Sequence, residues 1–403
     1  MKKIDTKKSI WIFTAVIALT GLALGLSENT FANYFKDAYN ADAFQRGLIE
    51  LPRETPGVIC VLIVSALAFI GDIRLSMAAQ LLSVIGLTVM GLITPPFGIM
   101  LIFLFVFSLG QHMFMPLADS IGMSLAKDGS VGSALGRLNG FRTAFTMAAG
   151  ILVFIGFKQG FFSFKTPVKL VFLIAAVIFA VIFLLLLHMR RLTGEPSKQQ
   201  KFKLIIRKEY GIFYLLAALF GARKQIMFVY GPWVLIELLE FGADTMALLS
   251  IAGAAVGIFF MPAVGRWIDK YGTANIMTVE AAAFILIYIV YGVLSAGLSD
   301  GWIAAAGISI AVAFAVNMAD RMTIQFGMVR AVYMRSIAVS PEEVTPTLSA
   351  GMSLDHILSI LSALFCGWLW KHIGPQYVFV FAALLSAGNM LVARMIRKRI
   401  TTD

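Results

Sequence analysis

Charged residues are scarce in this chain. Only 14% of its 403 residues are Asp, Glu, Lys or Arg, whereas soluble domains carry about 25%. Hydrophobic residues make up 59%, and the mean hydropathy is +0.87. This balance excludes an ordinary soluble domain. It predicts an all-α polytopic membrane protein that has the lipid bilayer as its surroundings.

Cysteine is almost absent, and no sequence pattern of catalysis is present. The two cysteines, Cys60 and Cys366, lie inside apolar runs, which excludes a disulfide framework. The chain contains no H-E-x-x-H, G-x-S-x-G or Walker-type G-x-x-x-x-G-K-[ST] pattern. Metalloprotease, hydrolase and ATP-driven pump chemistry are therefore not indicated, and we expect neither an enzyme nor a cofactor or metal.

Acidic residues are outnumbered, 22 to 33, and the net charge is +11. A nucleic-acid partner is not expected, because the basic residues fall mainly in short segments and tails between apolar runs. If the N-terminus is inside, 21 Lys and Arg residues lie in cytoplasmic segments and 5 outside. Positively charged loops face the cytoplasm, so both termini are predicted to be cytoplasmic.

About twelve apolar runs have the length of a membrane span, roughly 20 residues. The first is too long for the apolar region of a signal peptide and is interpreted as a span. The predicted spans are 9–37, 43–70, 75–94, 98–126, 131–156, 167–188, 209–238, 244–265, 274–296, 301–328, 344–370 and 375–393.

The longest polar interruption, 189–208, is interpreted as a cytoplasmic linker between two six-helix halves, 1–188 and 209–403. Its Gly-Glu-Pro-Ser core breaks helices, and its flanks are basic. The part at 201–208 is basic and partly apolar. It is predicted either to lie along the inner membrane surface or to form a plain solvated loop.

The segment 265–272, Gly-Arg-Trp-Ile-Asp-Lys-Tyr-Gly, joins two of these runs and has the pattern G-x-x-x-D-K-x-G. We predict a tight turn in which Gly265 and Gly272 let the chain reverse direction. Asp269 is expected to cap a nearby helix, while Arg266 and Lys270 hold the turn at the cytoplasmic surface. A weaker copy, Gly-Asp-Ile-Arg at 71–74, lies 269 − 72 = 197 residues earlier.

This segment resembles the signature loop of the major facilitator superfamily, which joins the eighth and ninth transmembrane helices. An offset of 196 residues also aligns Gly25 with Gly221, Asn29 with Gln225, Tyr34 with Tyr230 and Glu28 with Lys224. The resemblance implies two six-helix repeats that work by alternating access around a midplane site. Ala68 and Leu75 depart from the loop pattern in the first half, and the fifth span lacks the Gly-Pro-rich motif of drug/proton antiporters, which disfavours multidrug export.

Ionisable residues at membrane depth cost at least about 2.5–3.5 kcal/mol each, so each is a candidate functional residue. By helix rise, several fall near the midplane. The candidate substrate and proton-coupling residues are Glu28, Asn29, Arg53, Glu54, His112, Arg142, Arg223, Lys224, Gln225, Asp355 and His356.

Two interpretations of these charges stay open. In one interpretation, opposite charges serve only to hold helices together, and Arg53 with Asp355 is a candidate bridge of this kind. Alternatively, the adjacent Asp355 and His356 indicate proton coupling, although neighbours on a helix point about 100° apart and need not share a partner.

A second group of residues is assigned to gating. Asp119, Asp320 and Arg321 lie deeper, near the cytoplasmic ends of their spans, and are interpreted as partners of the signature loops. The predicted gating residues are Asp72, Arg74, Asp119, Gly265, Arg266, Asp269, Lys270, Gly272, Asp320 and Arg321.

The predicted function is proton-coupled transport of a polar or charged small organic solute by a monomer in a bacterial cytoplasmic membrane. Arg142, Arg223 and Lys224 suit an anionic solute, and Glu28 and Glu54 a cationic one. The alternative is a lipid-handling flippase or a sensory membrane protein of the same fold, in which the intramembrane charges are structural.

Overall fold

A computed structural model describes residues 6–126, 131–193 and 207–402, and this part of the chain is helical with no strand. The core of the predicted linker, 194–206, lies outside the described residues. So do several of the basic residues counted as cytoplasmic: Lys2, Lys3, Lys127, Lys198, Lys201 and Lys203.

Fourteen α-helices are found in the described residues, some joined by short 3₁₀ or π segments. In chain order they are α1 (Thr6–Ser27), α2 (Phe31–Tyr39), α3 (Ala43–Ala66), α4 (Asp72–Leu92), α5 (Phe97–Leu125), α6 (Val131–Lys158), α7 (Leu170–Thr193), α8 (Gly211–Trp233), α9 (Ala243–Tyr271), α10 (Thr273–Ser299), α11 (Ile308–Thr323), α12 (Val329–Ile337), α13 (Pro341–His372) and α14 (Pro375–Thr402).

The chain divides into two compact units. Unit 1 comprises 1–40, 55–202 and 243–251, and unit 2 comprises 41–54, 203–242 and 252–403. Two helices therefore contribute to both units. The division falls after Glu54 in α3 and after Ile251 in α9.

In unit 1, α1 packs against α6 and α7, and α4 packs against α5 and α7. Small residues set the close approach of α1 to α6. A Cβ added at Gly25 would fall on Thr146 and Ala149, and the Thr146 hydroxyl donates a hydrogen bond of 3.1 Å to the carbonyl oxygen of Gly21. Such small residues allow backbone contact between membrane helices.

In unit 2, α10 packs on α14 and α8 packs on α13. The contact of α8 with α13 again centres on a glycine, because a Cβ at Gly221 would fall on Asp355. Gly25 and Gly221, which the 196-residue offset aligns, thus both lie where a helix packs closely on the fifth helix after it. A buried apolar cluster that includes Phe213, Ile268 and Met277 forms part of the core of this unit.

Ten helical segments among the described residues are long and apolar enough to cross a membrane. Two of the twelve predicted spans do not meet this measure. The span predicted at 43–70 corresponds to α3, whose first part carries four charged side chains. That helix continues without interruption through Pro52 and Pro56.

The span predicted at 301–328 is too long. Helix α11 covers only Ile308–Thr323, and a 3₁₀ turn over Ile324–Met328 leads into α12. The seven residues before α11 are not helical because two glycines adopt positive φ, 78° at Gly301 and 65° at Gly307. Hydropathy alone could not locate the start of α11, because residues 302–306 are also mostly apolar.

The prediction of a turn over the whole 265–272 segment is wrong. Helix α9 continues to Tyr271, and Gly272 alone reverses the chain, with φ 76° and ψ 161°. Gly265 lies inside the helix with open space around it. The reversal falls at Gly272 because its backbone angles are almost restricted to glycine. The residues before it are compatible with a helix: Arg266, Trp267, Ile268 and Lys270.

The two copies of the signature segment place their carboxylates differently. Gly71, with φ 94° and ψ 151°, reverses the chain directly before Asp72, which is buried in the first turn of α4 and accepts a hydrogen bond of 2.6 Å from Ser120. Asp269 precedes the reversal by three residues and is exposed. The first turn of α10 has no side-chain cap, so the predicted capping by Asp269 is not found.

Candidate functional site

The first part of α3 forms a stripe of charges within unit 2. The spacing of Arg46, Glu50 and Arg53 brings their side chains onto one face of the helix. Glu50 is fully buried and accepts hydrogen bonds from Arg46 at 2.5 Å and Arg53 at 3.1 Å. Gln225 on α8 donates a third, at 2.6 Å. This carboxylate therefore ties α3 to α8 and is fully satisfied.

One turn further along, Glu54 pairs with His356 of α13. The distance from Glu54 Oε2 to His356 Nδ1 is 2.7 Å. A carboxylate and an unprotonated ring nitrogen both accept, so a proton must lie between these two atoms. Arg53 approaches the other carboxylate oxygen of Glu54 at 3.7 Å and lies over the ring of Phe228.

A second acid–base pair involves Asp355, the residue directly before His356 on α13. Lys224 Nζ on α8 lies 2.9 Å from Asp355 Oδ2, and Ser359 donates to Asp355 Oδ1 at 3.2 Å. The side chain of Lys224 is 24% exposed and that of Asp355 is 16% exposed. The pair is thus within reach of water, unlike the fully buried Glu50.

The proposed bridge between Arg53 and Asp355 is wrong. Asp355 pairs with Lys224, and Arg53 pairs with Glu50 and Glu54. The neighbours Asp355 and His356 have different partners, as their angular separation on a helix requires.

A third charged group contains one predicted site residue, Arg223, and two residues that sequence reasoning missed, Glu280 and Arg330. Arg223 Nη2 lies 2.9 Å and Arg330 Nη1 lies 3.3 Å from the same oxygen of Glu280. The two guanidinium groups lie over aromatic rings, Arg223 over Phe284 and Arg330 over Phe220. These stacked, buried cations connect α8, α10 and α12.

The sequence did contain a signal for this group. Glu280 is a lone acid within the apolar run 274–296, and the cost of an intramembrane charge applies to it as much as to Glu54. Arg330 was counted with the cytoplasmic cations because it follows the predicted end of a span. The structure places it in α12, 9% exposed, where its guanidinium group contacts Glu280.

Four predicted site residues lie in unit 1 and are described there alone. Glu28 is exposed and Asn29 half-buried in the 3₁₀ turn, Glu28–Thr30, that separates α1 from α2. His112 on α5 is half-buried, with its Nδ1 2.9 Å from the carbonyl oxygen of Ser108. Arg142 is exposed on α6.

The residues assigned to gating are dispersed. Arg74 and Asp119 are exposed in unit 1. In unit 2, Arg321 lies against Gly253 of α9, twelve residues and roughly 18 Å of helix before Gly265. Arg321 therefore contacts the body of α9, and Asp320 beside it is half-buried. A gating role for this set stays a prediction.

A cavity of about 600 Å³ in unit 1 lies away from every predicted site residue. Its walls come from the ends of α2 and α4 and from the segment before α7, and include Asp37, Lys165 and Lys169. Lys169 is buried and donates to Thr94 at 2.5 Å, and burial lowers the pKa of its ammonium group. This lysine anchors the segment between α6 and α7.

The sequence model of one family matches most of this chain. The model for the Major Facilitator Superfamily matches residues 13–339. The chain therefore belongs to the Major Facilitator Superfamily of membrane transporters. No curated protein matches the sequence.

Solved structures of transporters share the fold at low sequence identity. The nucleoside transporter NupG is 14% identical, with a TM-score of 0.74 over 97% of this chain and 99% of that chain. A POT family transporter in complex with a thioalcohol-conjugated peptide is 12% identical, with a TM-score of 0.76 over 98% and 96%. A bacterial homologue of the human lysosomal transporter Spinster is 14% identical, with a TM-score of 0.70 over 99% of both chains.

Proposed function

We propose that this chain is a proton-coupled secondary transporter that moves a polar or charged small organic solute by alternating access. The observation that carries the proposal is the pair of acid–base contacts on consecutive residues of α13, His356 with Glu54 and Asp355 with Lys224. Titratable groups inside membrane helices are costly, and in transporters they mark solute and proton paths.

The two contacts have the chemistry that coupling needs. A carboxylate that faces a cation is stable without a proton, and the same carboxylate needs a proton once the cation is removed. Asp355 faces Lys224, and Glu54 already shares a proton with His356. Movement of α13 relative to α3 or α8 would therefore take up or release protons.

The proposal includes a membrane arrangement. We propose twelve membrane helices, with α3 and the α11–α12 segment as the two charged spans, both termini in the cytoplasm, and a monomer in a bacterial cytoplasmic membrane. The Lys and Arg distribution supports this sidedness. Structural neighbours include a nucleoside transporter and a POT family transporter that holds a peptide conjugate, which supports a small solute as cargo.

The test is solute-induced proton movement in proteoliposomes of the purified protein. Organic anions, cations and zwitterions are added one class at a time while a trapped dye reports the internal pH. Glu54→Gln and Asp355→Asn are each expected to abolish the proton signal, because an amide cannot exchange the proton that the carboxylate exchanges.

Asp42→Asn is the matched control. Asp42 precedes the first turn of α3, is half-exposed and pairs with Lys371, so its loss removes an acid of the same unit without touching either contact. We expect this variant to retain the wild-type proton signal. Absence of any signal across the panel, with folded protein, would contradict the proposal and favour lipid handling, which a fluorescent-phospholipid flip assay on the same vesicles would detect.

A further inference from the structure

We infer that Lys224 binds an oxyanion group of the solute, a carboxylate or a phosphate, and that Asp355 takes a proton when it releases Lys224. This inference rests on the proposed function and adds to it the charge of the solute. One proton then accompanies one bound anionic group.

The first argument is the free hydrogen-bonding capacity of the charged cluster. Each oxygen of its carboxylates already has a partner: Glu50 has three donors, Asp355 has Lys224 and Ser359, and Glu54 has a hydrogen bond with His356 and an ion pair of 3.7 Å with Arg53. The ammonium group of Lys224 can donate three hydrogen bonds, and its one hydrogen bond among the described residues goes to Asp355. Two donor positions of this ammonium group are therefore unused among the described residues, and an acceptor such as an oxyanion satisfies them.

The second argument is access. The exposed fraction of the side chain is 24% for Lys224, compared with 16% for Asp355 and His356, 13% for Arg53, 9% for Glu54 and 0% for Glu50. The group with free donors is therefore also the one that an incoming solute reaches most easily.

A cationic solute fits this cluster poorly. It would need a carboxylate oxygen, and the carboxylate in reach is the one already paired with Lys224. The cation would stand beside the ammonium group of Lys224, where like charges in a poorly hydrated place repel strongly. An oxyanion, in contrast, takes the place of the Asp355 carboxylate as the negatively charged partner of Lys224.

The exchange balances in atoms and charge. The hydrogen bond from Lys224 Nζ to Asp355 Oδ2 breaks, and one from Lys224 Nζ to the solute oxygen forms. The released carboxylate binds one proton from water and becomes a neutral acid, because an unpaired carboxylate that is largely shielded from water is costly. Ser359, 3.2 Å from Asp355 Oδ1, can accept a hydrogen bond from that acid as well as donate one.

The other charged groups around Asp355 do not replace Lys224. Arg330 on α12 acts on it electrostatically but is held by Glu280. His356, the next residue, is held by Glu54. Within the part of the chain that the structure describes, Asp355 thus has one cationic hydrogen-bond partner, and the proton substitutes for it.

The test separates solute binding from proton coupling. Proteoliposomes are given lactate or glycerol 3-phosphate as anions, lactamide as a neutral analogue and choline as a cation. Counterflow of the labelled probe, which needs no net proton movement, is measured beside proton-driven uptake. We expect at least one of the two anions, and neither lactamide nor choline, to be carried.

The variants give the sharper outcome. Asp355→Asn is expected to keep counterflow of the anion and lose proton-driven uptake. Lys224→Gln is expected to lower both by about tenfold or more, the effect of removing one charge-assisted hydrogen bond. Lys371→Gln, which removes an exposed lysine at the end of the same α13, is the control and should change neither.

The contradicting results are distinct. Proton-coupled transport of choline without either anion, or anion counterflow that survives Lys224→Gln, would overturn the inference and leave proton-coupled transport standing. Lack of flux with all four probes and folded protein would count against the inference and, together with silence of the wider panel, against the proposed function. Activity with lactate or with glycerol 3-phosphate distinguishes carboxylate from phosphate.

Discussion

Gly221 is the residue on which the contact between α8 and α13 depends. A Cβ there would lie less than 3.0 Å from the backbone oxygen and Cα of Asp355. Backbone atoms cannot give way as a flexible side chain can, so the two helices would have to separate. The separation would also lengthen the contact between Lys224 and Asp355, which lies at the same level.

We therefore expect Gly221→Ala to lower the free energy of unfolding by about 1–3 kcal/mol, the usual cost of overpacking. Thermal unfolding of the purified protein measures it. Gly211→Ala is the matched control, because Gly211 begins the same helix and has open space around it. Equal stability of the two variants would contradict the close packing of α8 on α13.

Glu280 holds two arginines and is the residue whose loss we expect to be most costly to stability. Glu280→Gln leaves Arg223 and Arg330 buried without a carboxylate, which costs about 3–5 kcal/mol in comparable buried pairs. The loss is measured by thermal unfolding. Asp42→Asn, which breaks an exposed pair, should cost only about 0–1 kcal/mol. A Glu280→Gln protein as stable as the parent would show that the group is not a structural brace.

At the scale of single residues, the sequence identifies the charged side chains inside apolar runs better than it identifies which of them pair. The intramembrane cost of charge marked Glu54, Lys224 and Asp355 as candidate functional residues, and the structure shows a charged or titratable partner for each of them. It could not assign the partners, because pairing depends on helix rotation and on which helices are neighbours. The sequence suggested an ion pair between Arg53 and Asp355, whereas in the structure Asp355 pairs with Lys224.

At the scale of secondary-structure elements, the chain reversal between α9 and α10 depends on one residue, Gly272. Its φ of 76° and ψ of 161° lie in a region almost restricted to glycine, and Gly71 before α4 has the same conformation. Gly265, the first glycine of the signature segment, is an ordinary helical residue. The pattern G-x-x-x-D-K-x-G thus marks the end of a helix.

We expect Gly272→Ala to cost about 1–3 kcal/mol through backbone strain, and Gly265→Ala to be neutral or stabilising by about 0.5–1 kcal/mol. Limited proteolysis and thermal unfolding compare the two. Destabilisation by Gly265→Ala of the size expected for Gly272→Ala would contradict the helical course of α9 to Tyr271.

The start of α13 is joined to the segment before α8 by a surface ion pair. Arg207 donates two hydrogen bonds to Glu343, and Tyr210 donates a third. The hydrogen bonds from Arg207 and then Tyr210 lower the pKa of the Glu343 carboxyl below its usual range. The stabilisation is therefore complete above the ordinary carboxyl pKa of about 4.3 and is lost as the pH falls through the lowered value.

Glu343→Gln should consequently reduce the unfolding temperature at pH 7, and the difference from wild type should shrink as the pH is lowered below about 4. The unfolding temperatures of wild type and Glu343→Gln, measured at pH 7 and at the lower pH, test this expectation. A difference that stays constant or grows toward acid pH would show that Glu343 does not act through its charge.

For the whole molecule, the family assignment was correctly predicted from the sequence, and so were the positions of most helices. Hydropathy and the pattern at 265–272 sufficed for both. The helix ends could not be predicted where glycines, as at Gly301 and Gly307, decide them by backbone conformation. The span predicted at 43–70 corresponds to α3, whose hydropathy falls short of the measure for a membrane helix.

Sidedness gives a prediction of its own. In a protein without Cys60 and Cys366, a cysteine in place of Lys165 should react with an impermeant maleimide added to intact cells. A cysteine in place of Lys270 should react only after the membrane is opened. Both lysines are exposed, so access depends on the side of the membrane. The reverse pattern would contradict cytoplasmic termini.

The most direct measurement for the central proposal is uphill transport. Proteoliposomes are loaded with solute at the external concentration, and a proton gradient, acid outside, is imposed. Proton-coupled transport predicts that the internal solute concentration departs from the external one and returns to it when a protonophore collapses the gradient. The same departure should be missing in Asp355→Asn. A solute that is carried but stays at equal concentration on both sides under the gradient would contradict the account.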